Sequence, residues 1–226
     1  MKTALAILAA ITVLVLLLTL AAPAPDRAAP AVESLPWQIE VQSDGTSRVF
    51  GLTLGRSTLD DARARFGPEP QVAIVTAPGE AGSLEAYFES VSLGFLTGKM
   101  VVTLDVAQDA VDRMRARAAK TEHMESATRK ATLAAADREL AARAPIRAIA
   151  FIPSAQLEEA AILDRFGQPA ERLRDGEHVE HFLYPAKGLD VILDRKGKEV
   201  LQYVAPRDFA RLREPLTARR ASPGTP

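Results

Sequence analysis

The stretch Glu177-His178-Val179-Glu180-His181 places two of the chain's three histidines beside two carboxylates. These are the residue types that ligate zinc or move protons. Their spacing argues against both uses. A helical metalloprotease motif needs two histidines four apart around a glutamate, whereas these two are three apart. On an extended strand His178 and Glu180 share one face and His181 points to the other, so the group cannot jointly hold a metal without a bulge. The stretch therefore reads as a solvated strand with no metal site. His123 stands alone in a charged segment and reads as exposed.

Other candidate motifs fail in similar ways. Gly94 to Lys99, GFLTGK, is one residue short of a phosphate loop and runs into Met100 where a hydroxyl residue should meet the metal; it reads as a hairpin turn. Gly55 to Leu59, GRSTL, lacks the second glycine of a nucleophile elbow, and Ser57 or Thr58 is better used to cap a helix. Asp60-Asp61 and Glu158-Glu159 are adjacent pairs, which diverge by roughly 100° on a helix, and helix starts recruit such charges. The expectation is a chain with no catalytic, cofactor-binding or metal-ligating residues, and not an enzyme.

Composition narrows the partners. The 28 Lys and Arg nearly cancel the 29 Asp and Glu, so the basic excess that nucleic-acid phosphates require is missing. With 47% hydrophobic and 25% charged residues the chain should fold. Without cysteine it has no disulfide framework, thiolate chemistry or lipid-modified cysteine anchor.

Ala4 to Ala22 is apolar apart from Thr12 and Thr19, and as helix its nineteen residues would extend about 28 Å, nearly the thickness of a bilayer core. Residues 1–24 are expected to be a transmembrane anchor in the inner membrane, crossing once, with Lys2 cytoplasmic and the bulk of the chain periplasmic. The alternative is a cleaved signal segment and a soluble periplasmic protein. Residues 25–36 read as a proline-rich spacer.

The elements beyond it recur. Residues 37–106 read as a hairpin, a short helix ending at Phe66-Gly67 and a meander. Residues 147–206 repeat that order through Phe166-Gly167. Leu54 and Leu59 match Ile152 and Leu157, Arg65-Phe66-Gly67 match Arg165-Phe166-Gly167, and Gly98-Lys99 match Gly197-Lys198, at offsets of 98, 100 and 99. Phe66, Gly67, Gly98, Phe166, Gly167 and Gly197 are the repeat's anchors. Between the units, residues 107–146 are alanine-rich, glycine-free and closed by Pro145, and read as a helical connector, continuous or broken near Thr121. Residues 207–226 form a tail with a short helical piece.

The expected fold class is thus α+β, with two tandem small units of helix packed on a three-stranded antiparallel meander, joined by a long helical connector. The helix ending in RFGQPAER, followed by a meander turning at LDRKGKEVLQYV, resembles the SmpA/OmlA domain of the small lipoprotein subunit of the outer-membrane β-barrel assembly machinery. The resemblance covers 148–205, and 49–106 less well. It implies a periplasmic, non-enzymatic interaction module. The expected function is a membrane-anchored periplasmic interaction or assembly protein binding envelope protein partners, without cofactor; a lipid- or glycan-binding module is the alternative.

Overall fold

The computed structural model describes residues 34–124 and 127–221. The anchor at residues 4–22 and most of the proline-rich spacer lie outside the described residues. Most of the rest obeys the two-residue period of extended chain. In β5 (Ser83–Leu93) and β6 (Leu96–Leu104) the buried positions are Leu84, Ala86 and Phe88, then Met100, Val102 and Leu104. A bulge between Phe88 and Val91 restores the alternation to Val91 and Leu93.

β4 (Gln71–Thr76) completes the first meander with β5 and β6. β10 (Glu171–Asp175), β11 (Val179–Tyr184), β12 (Leu189–Asp194) and β13 (Val200–Val204) form the second. One strand, β9 (Ile146–Pro153), pairs with β13 on one side and with β6 on the other. β8 (Arg129–Thr132) extends the far edge against β4, and β7 (Lys120–His123) lies outside it. The result is one ten-stranded antiparallel sheet in the order β10-β11-β12-β13-β9-β6-β5-β4-β8-β7.

This corrects the expected fold class. There are not two small units of helix on a three-stranded meander; the chain is mostly β, and the two meanders are halves of one sheet over one core. The physical reason lies in IRAIAFIP of β9, apolar on both faces and flanked by free ladder groups on both edges. A strand of that kind is stable only inside a sheet, so it recruits β6 and β13 together.

The helical connector is overturned as well. After α1 (Leu59–Phe66), residues 107–146 form α2 (Gln108–Ala116), then β7 and β8, a 3-10 turn at Ala135–Asp137, and α3 (Arg138–Arg143). Helix propensity is a weak local preference that tertiary context overrides. Here the open edge of β4 offers a row of unpaired backbone groups. β8 satisfies them from Arg129 to Thr132 while burying Ala131, and Leu133 just beyond it is buried too.

α1 (Leu59–Phe66) and α4 (Glu159–Phe166) belong to the core side of the sheet. Thr58 caps α1 in a reciprocal box with Asp61: the Asp61 amide donates to Thr58 Oγ1 at 3.3 Å and the Thr58 amide to Asp61 Oδ2 at 2.7 Å. Both helices end at a glycine of positive φ, Gly67 and Gly167, whose amides donate to the carbonyls of Arg63 and Leu163. A small sheet of β1 (Glu40–Val41), β2 (Ser47–Val49) and β3 (Leu52–Thr53) sets Phe50 into the core. Phe50 and Gly51 both have positive φ, as a two-residue hairpin turn requires. Phe50 holds that strained backbone because its ring is fully buried, 5.7 Å from Phe151 and edge-on to Tyr203 at 5.0 Å. The Tyr203 hydroxyl donates to the Pro36 carbonyl at 3.0 Å, tying the chain's entry to the centre of the sheet. α5 (Ala210–Ala221) lies on the opposite face, where Phe209, Leu212 and Leu216 pack on Leu173, Leu183 and Val204.

Candidate binding surface

Strand register assembles the outer face of the sheet. Tyr87, Val101, Ala150 and Gln202 lie in one row, with Glu85, Thr103, Ala148 and Val204 in the next. Lys99 faces Ile152 in a third. From β10 to β13 α5 and Phe209 cover this face, and Ala148 of β9 packs against the edge of the same cluster. Over the central strands Val75, Val101, Ala148, Ala150 and Ile152 keep part of their apolar surface in solvent.

Polar groups share it: Ser83, Glu85 and Tyr87 on β5, Lys99 and Thr103 on β6, and Gln202 on β13. Glu85 is pushed up from the usual carboxylate range, mainly by burial; Ser83 opposes this by donating its hydroxyl to Oε1 at 2.6 Å. Lys99 and Glu89 pair at 3.1 Å at the margin. Bonding to Tyr87 and then to Lys99 holds the Glu89 carboxyl down.

Beneath the covered end lies a pair that no sequence motif disclosed. His181 Nδ1 is 2.8 Å from Asp190 Oδ2, and both side chains are buried. Burial raises the Asp190 carboxyl above its ordinary range, against the lowering effect of His181, and Asp190 Oδ1 has no hydrogen-bond partner. This corrects the expectation that Glu177–His181 is a solvated strand. Glu177 and His178 lie in the β10–β11 turn, and His181 is buried under the α5 side of the sheet. The carboxylate that makes burial tolerable comes from β12, nine residues on, and no local pattern announces it. A histidine oriented by a buried carboxylate is the supporting half of a nucleophilic triad. Among the described residues no hydroxyl bonds to this imidazole.

The other residues singled out from the sequence occupy separate places. Phe166 is buried, 6.1 Å from Tyr184, whereas Phe66 is half-buried and edge-on to Phe88 at 5.8 Å. Gly98 lies inside β6 rather than in a turn; the turn is confined to Gly94 and Phe95. Gly197 lies in the exposed β12–β13 turn. Ser57 Oγ accepts from the Thr53 amide at 3.0 Å, leaving capping to Thr58. Among the described residues no three His, Asp or Glu side chains converge as metal ligands, and no helix is long and apolar enough to cross a membrane.

A second exposed feature also lacks a sequence signature. Phe95, 70% exposed at the β5–β6 tip, stands 6.2 Å from Trp37, which packs against the core and carries the Arg165 guanidinium 4.9 Å from its ring. Phe95 alone carries no signal; proximity to Trp37 arises only when the hairpin folds over the entry segment. Compared with known proteins, the chain matches no protein-family model, no curated protein and no solved structure.

Proposed function

We propose that this chain is a membrane-anchored protein of the cell envelope that works without catalysis, docking a protein partner on the uncovered outer face of its sheet. The observation that supports the reading is the outer side of β9, at the centre of that face. An antiparallel sheet with one side in water alternates apolar inward and polar outward. In β9, by contrast, Ile149 and Phe151 enter the core while Ala148, Ala150 and Ile152 point away from it. Val101 continues the apolar surface on β6, beyond which β5 presents Ser83, Glu85 and Tyr87. Strands written apolar on both faces are strands meant to be covered on both, and exposed patches of this sort mark interaction sites. The anchor rests on the run from Ala4 to Ala22, and the export of the remaining chain on the cytoplasmic preference of Lys2.

The test is a photo-crosslinking amino acid at Val101 or Ile152, with Glu139, an exposed residue of α3, as control. Illumination of intact cells is expected to give one defined protein adduct from the two sheet positions and none from the control. No protein adduct, or adducts to lipid or glycan alone, would overturn the reading.

A further inference from the structure

The corner at Phe66-Gly67 and its copy at Phe166-Gly167 differ in what surrounds them. At the second, the Tyr184 hydroxyl donates to the Gly167 carbonyl at 2.9 Å and the Lys187 ammonium to the Phe166 carbonyl at 2.6 Å, so that corner is closed by its own side chains. At the first, α1, the turn after Gly67, β4, β8 and α3 enclose a cleft of about 390 Å³. We infer that this cleft is a binding site for a small organic anion, a carboxylate or phosphate head carried on a short apolar body.

Its walls bring together Arg63 from α1, Lys130 from β8 and Arg138 from α3, against the single carboxylate of Glu69. The cations are weakly engaged. Arg63 Nη1 donates to Asp60 at 3.1 Å, an exposed rim pair of the kind worth little in water, and its Nε is enclosed without an acceptor. Lys130 Nζ donates to the neutral Gln71 Oε1 at 2.8 Å. Glu122 faces Lys130 across β7–β8 but is bonded to Lys120 at 2.6 Å. The Arg138 amide donates to the Ala135 carbonyl, while its guanidinium has no hydrogen-bond or ion-pair partner among the described residues.

The floor is apolar: Leu133 and Ala141 are buried, and Val72 packs beside them. Cations on the walls and apolar atoms below select a ligand with both characters, oriented head outward by charge-assisted hydrogen bonds. The volume lies at the low end of small-molecule sites, roughly 300–1,000 Å³, which limits the body to a few carbons. Position by position, the second corner has Leu163 where the first has Arg63, and it has no equivalent of the segment that supplies Lys130, Leu133, Arg138 and Ala141. The connector's fold into β7, β8 and α3 is therefore what turns one of two similar corners into a cleft.

The experiment titrates inorganic phosphate, butyl phosphate and n-butanol into the full chain in neutral detergent and follows backbone amide resonances. Butyl phosphate is expected to saturate at Val72, Lys130, Leu133 and Arg138, at least several-fold tighter than phosphate, with butanol leaving these resonances unmoved. Arg138→Gln, at an exposed position that leaves the fold intact, should weaken butyl phosphate roughly tenfold, the loss of one hydrogen bond to a charged group. Lys130→Gln should do the same. Butyl phosphate binding no tighter than phosphate, shifts scattered over the surface, or unchanged affinity in both variants would overturn the proposal.

Discussion

Gly98→Ala is the sharpest perturbation available, because Gly98 lies where the two halves of the sheet are joined. β6 and β9 meet there along register pairs from Gly98↔Pro153 to Leu104↔Ile146. A Cβ at Gly98 would press on the Ile152 carbonyl and approach the Phe151 ring to 2.5 Å at Cε2 and 2.7 Å at Cζ. Carbon atoms rest at about 3.5–4.0 Å, so the shortfall is about 1 Å. Neither obstacle yields easily: one is ladder backbone, and the other is a fully buried ring packed on Phe50. Overpacking of this kind costs about 1–3 kcal/mol, and with both obstacles rigid the upper end applies. For a domain of this size that lowers the Tm by about 6–12 °C. Gly197→Ala is the matched control, since the repeat aligns these glycines. The atoms nearest its Cβ all belong to the Asp194 side chain, foremost the carboxylate, the movable end of a side chain in an exposed turn. Swinging that carboxylate away sacrifices its bond from the Lys196 amide, at 2.9 Å, for about 1 kcal/mol. Thermal unfolding of the full chain followed by circular dichroism decides the matter. A Gly98→Ala variant melting within about 2 °C of wild type, or Gly197→Ala falling as far, would refute the account of the junction.

Three further outcomes are expected. Phe166→Ala should cost about 3–5 kcal/mol in urea unfolding, whereas Phe66→Ala, starting from a half-buried ring, should cost about half as much; equal losses would contradict the packing described. His181→Leu strands the Asp190 carboxylate in the interior and should cost about 3–5 kcal/mol, while His181→Leu with Asp190→Leu should regain most of it; a double variant no more stable than the single one would refute the pair's role. Asp44 is lowered from 3.8 to about 2, first by the Thr46 hydroxyl and amide and then by the Arg56 guanidinium. A depressed carboxyl stabilises the fold above its unfolded pKa, and that contribution fades as the pH falls from about 4 toward 2. Asp44→Asn should therefore differ from wild type at about pH 6 and converge with it near pH 2; a gap independent of pH would show that Asp44 acts by shape alone.

Local chemistry made much of the chain legible. The helix between Thr58 and Gly67 follows from a capping hydroxyl, acidic residues in the first turn, an apolar face through Leu59 and Ala62, and a glycine able to take positive φ. Its copy ending at Phe166-Gly167 has the same length and the same exit, although Glu158 at its start makes no side-chain cap. The Asp194–Gly197 turn was equally visible, because turn residues and two-residue alternation act over a few positions. The alanine-rich connector was misleading for the same reason: its composition favours helix locally, but short helices outside a core are marginal, and the vacant edge of β4 decided otherwise.

The repeated corner and the strands on either side of it were thus written in the residue order, because each depends on neighbours within a turn or two. The folded chain alone decided that β9 joins β6 to β13, that His181 meets Asp190, and that Lys130 and Arg138 close a cleft beside Arg63. Each of these unites residues from separate elements. Which strand edges pair is settled by the apolar surface and backbone hydrogen bonds that the whole sheet can satisfy at once, and no short window of sequence contains that comparison.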